Sequence, residues 1–294
     1  MSVHQGTYSA VGESAYTAVR PLLAVGDLAW DVLAKPDNLL LPGGDTTGRV
    51  QLAAGGSSAN LAVWAARVGH PAAFLGKLAH DRFTQYAVSD LEYEGVTPHV
   101  VWTHEHPTGV ILVLIDRAGQ RSMLTSQGAD FYLEADEVPV GAVQQAGHVH
   151  ITAWSVFTDP PRAAALRAAR LAAEAGATVS FDPGSYQMIR EMGRDEFRRV
   201  TRELPVDFLF PNIDEGKALT RESKPERIHE VLRELYPGAM VLLKLDREGV
   251  LLNDGDDLLL VPASDDAAVD ATGAGDSFGG AFLGHYLRSR DAHG

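Results

Sequence analysis

Short apolar runs alternate with longer amphipathic stretches along most of the chain. The short runs have the length of strands, and the longer stretches repeat apolar residues at helical spacing. This alternation is typical of an α/β fold, in which crossover helices cover both faces of a mostly parallel sheet. The predicted strands are Leu22–Val25, Ala72–Leu75, His148–Ile151, Thr178–Phe181, Phe208–Phe210, Val241–Leu245 and Val250–Leu252. The predicted helices are Ser58–Val68, Pro161–Ala175, Pro225–Tyr236 and a last helix that begins near Gly275.

Two segments, near residues 33–52 and 100–124, depart from this rhythm. Both contain strand-like alternation and turn residues, which predicts a small accessory sheet. Such a sheet often acts as a lid over a ligand, although two surface hairpins with packing roles alone would give the same pattern. Because no repeat or long linker divides the chain, residues 21–294 are expected to form one domain with these lid segments, preceded by a loose leader at 1–20.

Composition and charge exclude several classes of function. The chain has 294 residues, a formal net charge of -14 and no basic stripe, which argues against nucleic-acid binding. Because it contains no cysteine, disulfides, thiolate metal sites and cysteine nucleophiles are excluded, as expected for a protein of the reducing cytoplasm. No segment approaches the ~20 apolar residues that a membrane helix needs. These features favour chemistry on a small molecule.

Residues 270–282 read D-A-T-G-A-G-D-S-F-G-G-A-F, a glycine-rich turn that leads into an apolar helix. Gly273 and Gly275 allow the N–H groups of residues 273–275, with Ala274 between them, to converge at the positive end of that helix. A carboxylate there, Asp276, could accept a proton from a hydroxyl while the amides hold a transferring phosphoryl group. The pattern therefore predicts a kinase that acts on an alcohol, with Thr272 assigned to the nucleotide side.

Other interpretations of this turn were weighed. A glycine-rich turn packed on a helix, with Asp276 only a favourable acid in the first turn, remains open. A dinucleotide fingerprint is excluded, because the glycines follow G-x-G-x-x-x-G, which is one residue too long. The chain also contains no G-x-x-x-x-G-K-[ST] phosphate loop.

A second motif, G-G-S-S-A-N, opens a helix of small residues. Its glycines, Gly55 and Gly56, permit close backbone approach, and Asn60 offers both a donor and an acceptor to the hydroxyls of a polyol. Asp27 and Asp31 follow the first strand, at the sheet edge where parallel sheets bind ligands, and could accept bonds from the same hydroxyls. A serine N-cap for the helix and turn-forming acids are the alternatives.

A third motif, P-N-I-D-E, follows the apolar run V-D-F-L-F. Its Asn212 and Glu215 would share a face if a helix begins here, and could order magnesium-bound water near a nucleotide phosphate. A capping box, with Asn212 as the N-cap and Glu215 reaching back to it, uses the same spacing.

Together the three motifs resemble the ribokinase-like carbohydrate kinase family, also called PfkB. The family motif D-T-x-G-A-G-D appears as residues 270–276, and a two-glycine motif with an asparagine and an alanine-rich helix appears as residues 55–69. The resemblance covers nearly the whole chain after the leader. It implies a three-layer α/β/α fold with a mostly parallel central sheet and a small β-sheet lid, and it implies ATP and Mg²⁺ as cofactors. In some members the lid also forms a homodimer.

The resemblance implies roles for individual residues. Asp276 would be the catalytic base, and the amides of residues 273–275 would form the anion hole. The residues around the sugar would be Asp27, Asp31, Gly56 and Asn60. The residues near Mg²⁺ and the phosphates would be Asn212 and Glu215, with Glu215 on the metal side.

The chain departs from the family pattern at two places. Lys244 and Asp246 stand where many members have T-x-G, ahead of the nucleotide-contacting glycine, here Gly249. Lys244 could reach a phosphate, whereas Asp246 would crowd or repel one. Only 18 residues follow Asp276 (294 minus 276), so the sequence does not predict how the adenine pocket is closed. It also does not predict whether K⁺ activates the protein, which in part of the family involves the segment around Asp270.

The sequence therefore predicts an ATP-dependent kinase that phosphorylates a hydroxymethyl group of a small sugar of the ribose, fructose or 2-keto-3-deoxygluconate type. An acidic sugar would need a basic clamp, for which Arg117 and Arg121 in the lid segments are candidates. A nucleoside kinase of the same family is the alternative, and a non-catalytic sugar-binding or regulatory protein is the second.

Overall fold

The computed structural model describes residues 19–116, 121–255, 257–264 and 273–290. Thr272 and Asp270 lie outside these residues, as do the leader up to residue 18 and Arg117. In the described part, α-helices cover both faces of a large sheet, and a smaller sheet stands beside it. The predicted α/β class, with a mostly parallel central sheet between two layers of helices and a small second sheet, is confirmed.

The elements follow one another in a largely alternating order. The strands are β1 (Leu22–Val25), β2 (Ala29–Pro36), β3 (Gly48–Gly55), β4 (Ala72–Ala79), β5 (Val96–Thr103), β6 (Gly109–Ile115), β7 (Arg121–Ser126), β8 (His148–Thr152), β9 (Thr178–Asp182), β10 (Phe208–Leu209), β11 (Met240–Lys244), β12 (Val250–Asp254) and β13 (Asp257–Val261). The α-helices are α1 (Ser57–Arg67), α2 (Arg82–Tyr93), α3 (Val140–Gln145), α4 (Pro161–Glu174), α5 (Tyr186–Met192), α6 (Arg194–Thr201), α7 (Ile213–Thr220), α8 (Pro225–Leu235) and α9 (Ala274–Ser289).

The described strands form two sheets. In the large sheet the order is β13-β12-β11-β10-β9-β8-β1-β4-β5. The seven neighbouring strands from β11 to β5 in this order pair in parallel, whereas β12 pairs antiparallel with both β11 and β13. The small sheet has the order β3-β2-β6-β7, with β2 parallel to β6 and the outer pairs antiparallel. The carboxyl ends of the parallel strands therefore meet at one edge, and β2 of the small sheet follows β1 after residues 26–28.

Alternate residues of the central strands enter two separate cores. Leu22 and Ala24 of β1 pack into the core shared with α1, α2 and α9, whereas Leu23 and Val25 pack into the core shared with α3 through α8. This is the period-two alternation of a strand that is buried on both faces. It explains why these strands read as short continuous apolar runs.

Helix α9 contacts its neighbours through two of its own faces. Its glycine face lies on α1, where a Cβ added to Gly280 would stand 2.4 Å from the carbonyl oxygen of Leu61. Its aromatic face lies on the sheet, where the rings of Phe278 and Phe282 are 6.2 and 5.9 Å from the ring of Phe210. The close approach of α9 to α1 fixes where the first turn of α9 begins.

The seven predicted strands are all present, with ends that differ by up to four residues. The sequence pattern missed the helices α2, α3, α5 and α6 and the strands β5 and β13. It also assigned residues 100–103 to the accessory segment, although they belong to β5 of the large sheet. That strand lies at the sheet edge, is only half-buried and contains Pro98, so its pattern resembles irregular structure. The small sheet also begins earlier than expected, at Ala29 rather than residue 33.

An apolar row crosses the outer face of the small sheet. Val32 pairs with Leu52 and with Leu112, and Leu112 pairs with Leu124. Leu52 and Leu124 are 63% and 69% exposed. A homodimer through this sheet stays a prediction. None of the described helices is both long enough and apolar enough to pass through a membrane.

We predict that Gly280→Ala destabilises the protein, because the added Cβ would meet Leu61 and would lie 2.8 Å from the Cβ of Trp64. Overpacking of this kind costs about 1–3 kcal/mol. The free energy of unfolding from urea titration measures it. The control is Gly141→Ala in α3, where an added Cβ meets no atom within 4 Å. Equal stability of the two variants would contradict the tight contact between α1 and α9.

Candidate active site

The first turn of α9 brings Asp276 against α1. The side-chain amide of Asn60 donates a hydrogen bond of 3.1 Å to Oδ2 of Asp276, across 216 positions of sequence. Asn60 occupies the first turn of α1, so this bond depends on the contact between the two helices described above. One carboxylate oxygen of Asp276 is thereby held in place.

Asp27 holds the beginning of α1. Its carboxylate accepts hydrogen bonds from the backbone N–H groups of Ser57 and Ser58, at 2.8 and 3.2 Å. A carboxylate at a helix N-terminus is stabilised by the helix dipole and supplies acceptors for unpaired N–H groups. The alternative of a serine N-cap is not observed, because Gly56 is the N-cap residue and Asp27 provides the acceptor from the preceding loop.

The first turn of α9 presents N–H groups that have no acceptor within the helix. Gly273 is the N-cap of α9 and has a φ of 68°, a left-handed conformation that favours glycine. The N–H of Ser277 makes the first intrahelical bond, to the carbonyl of Gly273, at 2.8 Å. The preceding N–H groups, from Ala274 to Asp276, have no intrahelical acceptor and lie at the positive end of the dipole. This is an anion-binding arrangement.

Two cavities lie on either side of that turn. The first, of about 240 Å³, lies between the edge of the large sheet and the inner face of the small sheet. Its polar lining includes Asp27, Asp31, Gly56, Ser57, Asn60, Asp130, Gly273 and Asp276. Its apolar lining includes Ala29, Ile111, Val113, Met123, Phe131 and Trp154. We call it the acceptor cavity.

The second cavity, of about 610 Å³, lies between α9 and the strands β11 to β13. Its lining includes Asn212, Ile213, Asp214, Lys244, Asp246, Gly249, Val261, Pro262, Ala274, Gly275, Phe278 and Phe282. We call it the nucleotide cavity. Since Gly273 and Asp276 face the acceptor cavity while Ala274 and Gly275 face the nucleotide cavity, the first turn of α9 separates the two.

Burial raises the pKa of Asp276 to about 7, because a charged carboxylate is poorly solvated there. The hydrogen bond from Asn60 works in the opposite direction, and the nearby charges of Asp182 and Asp27 add to the increase. A carboxylate with a pKa near neutrality can take a proton from a hydroxyl and remain ionised enough to act.

The acceptor cavity holds further carboxylates with raised pKa values. Burial, together with the charge of Asp27, raises the pKa of Asp31 to about 6 and that of Asp130 to about 7. Oδ1 of Asp31 is buried and has no hydrogen-bond partner among the described residues. The sequence analysis missed Asp130, which lies in a short 3₁₀ helix after β7 and carries no motif.

Gly55 allows the close approach of a neighbouring side chain. A Cβ at this position would lie 2.5 Å from Oδ2 of Asp31, and Gly55 is not among the residues that line the acceptor cavity. The glycine therefore makes room for the Asp31 carboxylate. The neighbouring Gly56, with φ 101°, does line the cavity.

A buried ion pair lies beside the nucleotide cavity. Nζ of Lys244 donates a 2.7 Å hydrogen bond to Oδ2 of Asp182, and both side chains are 15% exposed. Burial acts to lower the pKa of Lys244, but the charges of Asp182 and Glu215 outweigh it and leave that pKa raised. Asp182 ends β9 at the same sheet edge as Asp27 follows β1, and this signal could have identified it from sequence.

Asn212 and Glu215 form a capping box at the start of α7. The backbone N–H and side-chain amide of Asn212 donate to the two carboxylate oxygens of Glu215, both at 2.8 Å. Burial and the charge of Asp182 raise the pKa of Glu215 to about 7. The capping alternative is thus the observed one. Among the residues described, no group of three or more His, Asp or Glu side chains could hold a metal ion.

Asp246 takes a conformation that suits the glycine expected at this position. Its φ is 55°, in the left-handed region, and it lines the nucleotide cavity as an exposed residue. Gly249 has φ 106°, and a Cβ there would lie only 2.0 Å from the carbonyl oxygen of Val261. Gly249 is therefore required for the approach of β13, whatever contact it makes with a ligand.

The fold and the two-cavity site define a ribokinase-like kinase. The family model for the pfkB family carbohydrate kinases matches residues 20–293. The chain belongs to this family. Two solved structures support the fold: adenosine kinase from Sinorhizobium meliloti (TM-score 0.81, 27% identity, 94% of this chain and 90% of that one), and a putative ribokinase II from E. coli in complex with ATP and Mg²⁺ (TM-score 0.81, 25% identity, 93% and 88%).

Two relatives show the range of substrates in the family. ATP-dependent ribose-1-phosphate kinase from Halopiger xanaduensis is 31% identical over 92% of this chain and 86% of its own length. Fructokinase-1 from Zea mays is 33% identical over 79% of this chain and 73% of its own length. The chain is therefore a phosphotransferase with an alcohol group as acceptor, within the sugar and nucleoside kinases.

We predict that Asp276→Asn stabilises the protein above neutral pH. A pKa raised from 3.8 to about 7 means that the folded state binds the proton more tightly than the unfolded state, so stability is lost as the pH rises through 7. Asparagine at this position has no proton to lose and gains no charge as the pH rises. The difference in unfolding free energy should be near zero at about pH 4 and grow to about 1–3 kcal/mol above pH 7.

Urea titrations across this pH range measure the difference. The matched control is Asp136→Asn, which removes the same charge from an exposed side chain and should change stability by less than about 0.5 kcal/mol throughout. A pH-independent difference for Asp276→Asn would show that the carboxylate is not held in an unfavourable environment.

Proposed function

We propose that the protein is an ATP- and Mg²⁺-dependent kinase that transfers the γ-phosphoryl group to a hydroxymethyl group of a small sugar. The observation that carries this proposal is the position of Asp276. It lies in the first turn of α9, is held by Asn60 and is placed between a cavity suited to an acceptor and one suited to a nucleotide.

The residues present fit a nucleotide in the second cavity. Its volume falls within the range of small-molecule sites, and it is lined by Ala274 and Gly275, whose N–H groups have no acceptor within α9. The side chain of Lys244 lies in the same wall, and the exposed carboxylate of Asp214 lies at the beginning of α7. The similar E. coli structure that contains ATP and Mg²⁺ supports this assignment.

The magnesium environment fits an indirect role for Glu215. Both of its oxygens already accept bonds from Asn212, so we assign it to orienting water around the ion through the Asn212–Glu215 pair. Mg²⁺ usually keeps several waters and binds substrate phosphates with few protein ligands. Removal of the metal with EDTA should therefore abolish turnover without unfolding the protein.

When bound, ATP with Mg²⁺ supplies an activated phosphoryl group. Asp31, Asn60 and Asp27 orient the acceptor hydroxyl toward the first turn of α9. Asp276 accepts the proton of that hydroxyl. The hydroxyl oxygen forms a bond to the γ-phosphorus, and the bond between this phosphorus and the oxygen that leaves with ADP breaks. The N–H groups of the turn hold the charge that develops on the transferring group.

A nucleoside acceptor is the second candidate. One wall of the acceptor cavity is apolar and includes Trp154, Phe131 and Met123, against which a base could pack. The similarity to an adenosine kinase supports the same possibility. A nucleoside kinase would bind adenosine, inosine or cytidine more tightly than any free sugar. The sequence left open a non-catalytic sugar-binding or regulatory protein, here called the sensor, partly because Asp246 replaces a glycine. That support is weaker now, because Asp246 adopts the glycine-like backbone conformation.

We predict ADP release from ATP·Mg²⁺ that depends on an acceptor drawn from pentoses, hexoses and nucleosides. Asp276→Asn should lower kcat by about 10²–10⁴-fold, the contribution of a positioned base. Because the base must be ionised, kcat/KM should rise with pH and level off above a pKa of about 7.

The exposed variant Asp136→Asn serves as the control and should keep wild-type turnover. Normal turnover by Asp276→Asn would remove Asp276 as the base. Acceptor binding without turnover by the wild type would favour the sensor.

A further inference from the structure

We infer that the acceptor cavity takes an uncharged polyol and rejects acceptors that carry a phosphate or a carboxylate group. This inference rests on the proposed function and narrows its substrate class. It removes 2-keto-3-deoxygluconate from the candidates named from sequence. It also separates this chain from its relative that is named a ribose-1-phosphate kinase.

The first observation is the charge of the lining. Four aspartates line this cavity of about 240 Å³, and no lysine, arginine or histidine is among the described residues that line it. The aspartates are Asp27, Asp31, Asp130 and Asp276. An anionic acceptor would enter without a counter-charge, and burying such a group unpaired is costly.

The second observation is that the carboxylates act on one another. The charge of Asp27 raises the pKa values of the other three, which shows that they share one negative field. Asp27 keeps its own place through the N–H groups of Ser57 and Ser58. An acceptor phosphate would meet the same field.

The third observation concerns the nearby cations. Lys77 donates to both carboxylate oxygens of Glu137, at 2.7 and 2.8 Å, and Lys244 is paired with Asp182 on the nucleotide side. Neither lines the acceptor cavity. Arg117 and the side chain of Arg121, the basic clamp considered from sequence, lie outside the described residues.

The fourth observation is an unsatisfied acceptor. Asp31 lines the cavity, and its buried Oδ1 has no partner among the described residues, so this carboxylate favours a ligand that brings hydrogen-bond donors. The hydroxyls of a polyol can donate to this carboxylate, whereas an ionised phosphate or carboxylate group placed at the same position offers only acceptors. The cavity therefore complements the first kind of ligand and opposes the second.

The test is calorimetric binding of matched acceptors, followed by turnover with ATP·Mg²⁺. The pairs are ribose with ribose 1-phosphate, and fructose with 2-keto-3-deoxygluconate. At about pH 8 the carboxylates are ionised. In a medium of intermediate dielectric, each one weakens the affinity for an anion about 6 Å away roughly tenfold. We expect the neutral member of each pair to bind at least about 100-fold more tightly.

Asp130→Asn should reduce that discrimination about tenfold, by improving binding of the anionic member relative to its neutral partner. Asp136→Asn, which removes a charge from an exposed side chain that does not line the cavity, should leave the ratio unchanged. A purely structural effect of Asp130→Asn would weaken binding of both members of a pair equally. An unchanged ratio of their affinities in this variant would therefore overturn the role of Asp130 in specificity.

Equal or tighter binding of the anionic member by the wild type would overturn the inference. If Arg117→Ala or Arg121→Ala then abolished binding of the anionic member, the result would place a basic clamp in the lid segment. If the neutral member binds with the expected preference but is not phosphorylated, the inference stands and the proposed kinase function fails. Absence of binding by every acceptor would overturn both.

Discussion

The close contact between α1 and α9 is the constraint on which the site depends. No side chain fits between Gly280 and the backbone of Leu61, so the two helices touch through main-chain atoms. The aromatic face of α9 rests at the same time on Phe210 of the sheet. This fixes the first turn of α9 relative to Asn60, and it allows a single hydrogen bond to orient Asp276.

The site is built at a cost to stability. Three carboxylates in and beside the acceptor cavity have pKa values raised to about 6 or 7, which means that the folded protein holds them in an unfavourable environment. Proteins commonly tolerate such strain where chemistry requires it. Here the same burial makes Asp276 a base near neutral pH and gives the cavity its negative field, so catalysis and selectivity have one physical origin.

Part of the site was predictable because topology alone brings it together. Asp27 and Asp31 follow a parallel strand, and Asn60 and Asp276 lie in the first turns of helices, so the sheet-edge rule predicts that they meet. The pairing of Lys244 with Asp182 requires the order of β9, β10 and β11, which the sequence does not specify.

Other features needed distances rather than patterns. Asn212 and Glu215 had two interpretations at the same spacing, and only their hydrogen bonds distinguish the capping box. Asp130 was missed because its role comes from the small sheet folding over the cavity, a long-range effect that leaves no local signal. The edge strand β5 was assigned to the wrong sheet for a similar reason, since strand propensity does not identify the neighbour.

The most direct test of the central claim is a crystal structure with a non-hydrolysable ATP analogue, Mg²⁺ and an acceptor identified by turnover. We expect the γ-phosphate at the N–H groups of Ala274 and Gly275, and the acceptor hydroxyl within hydrogen-bond distance of Asp276, on the opposite side of the same turn. An acceptor hydroxyl that contacts another base, or a nucleotide bound away from α9, would contradict the account.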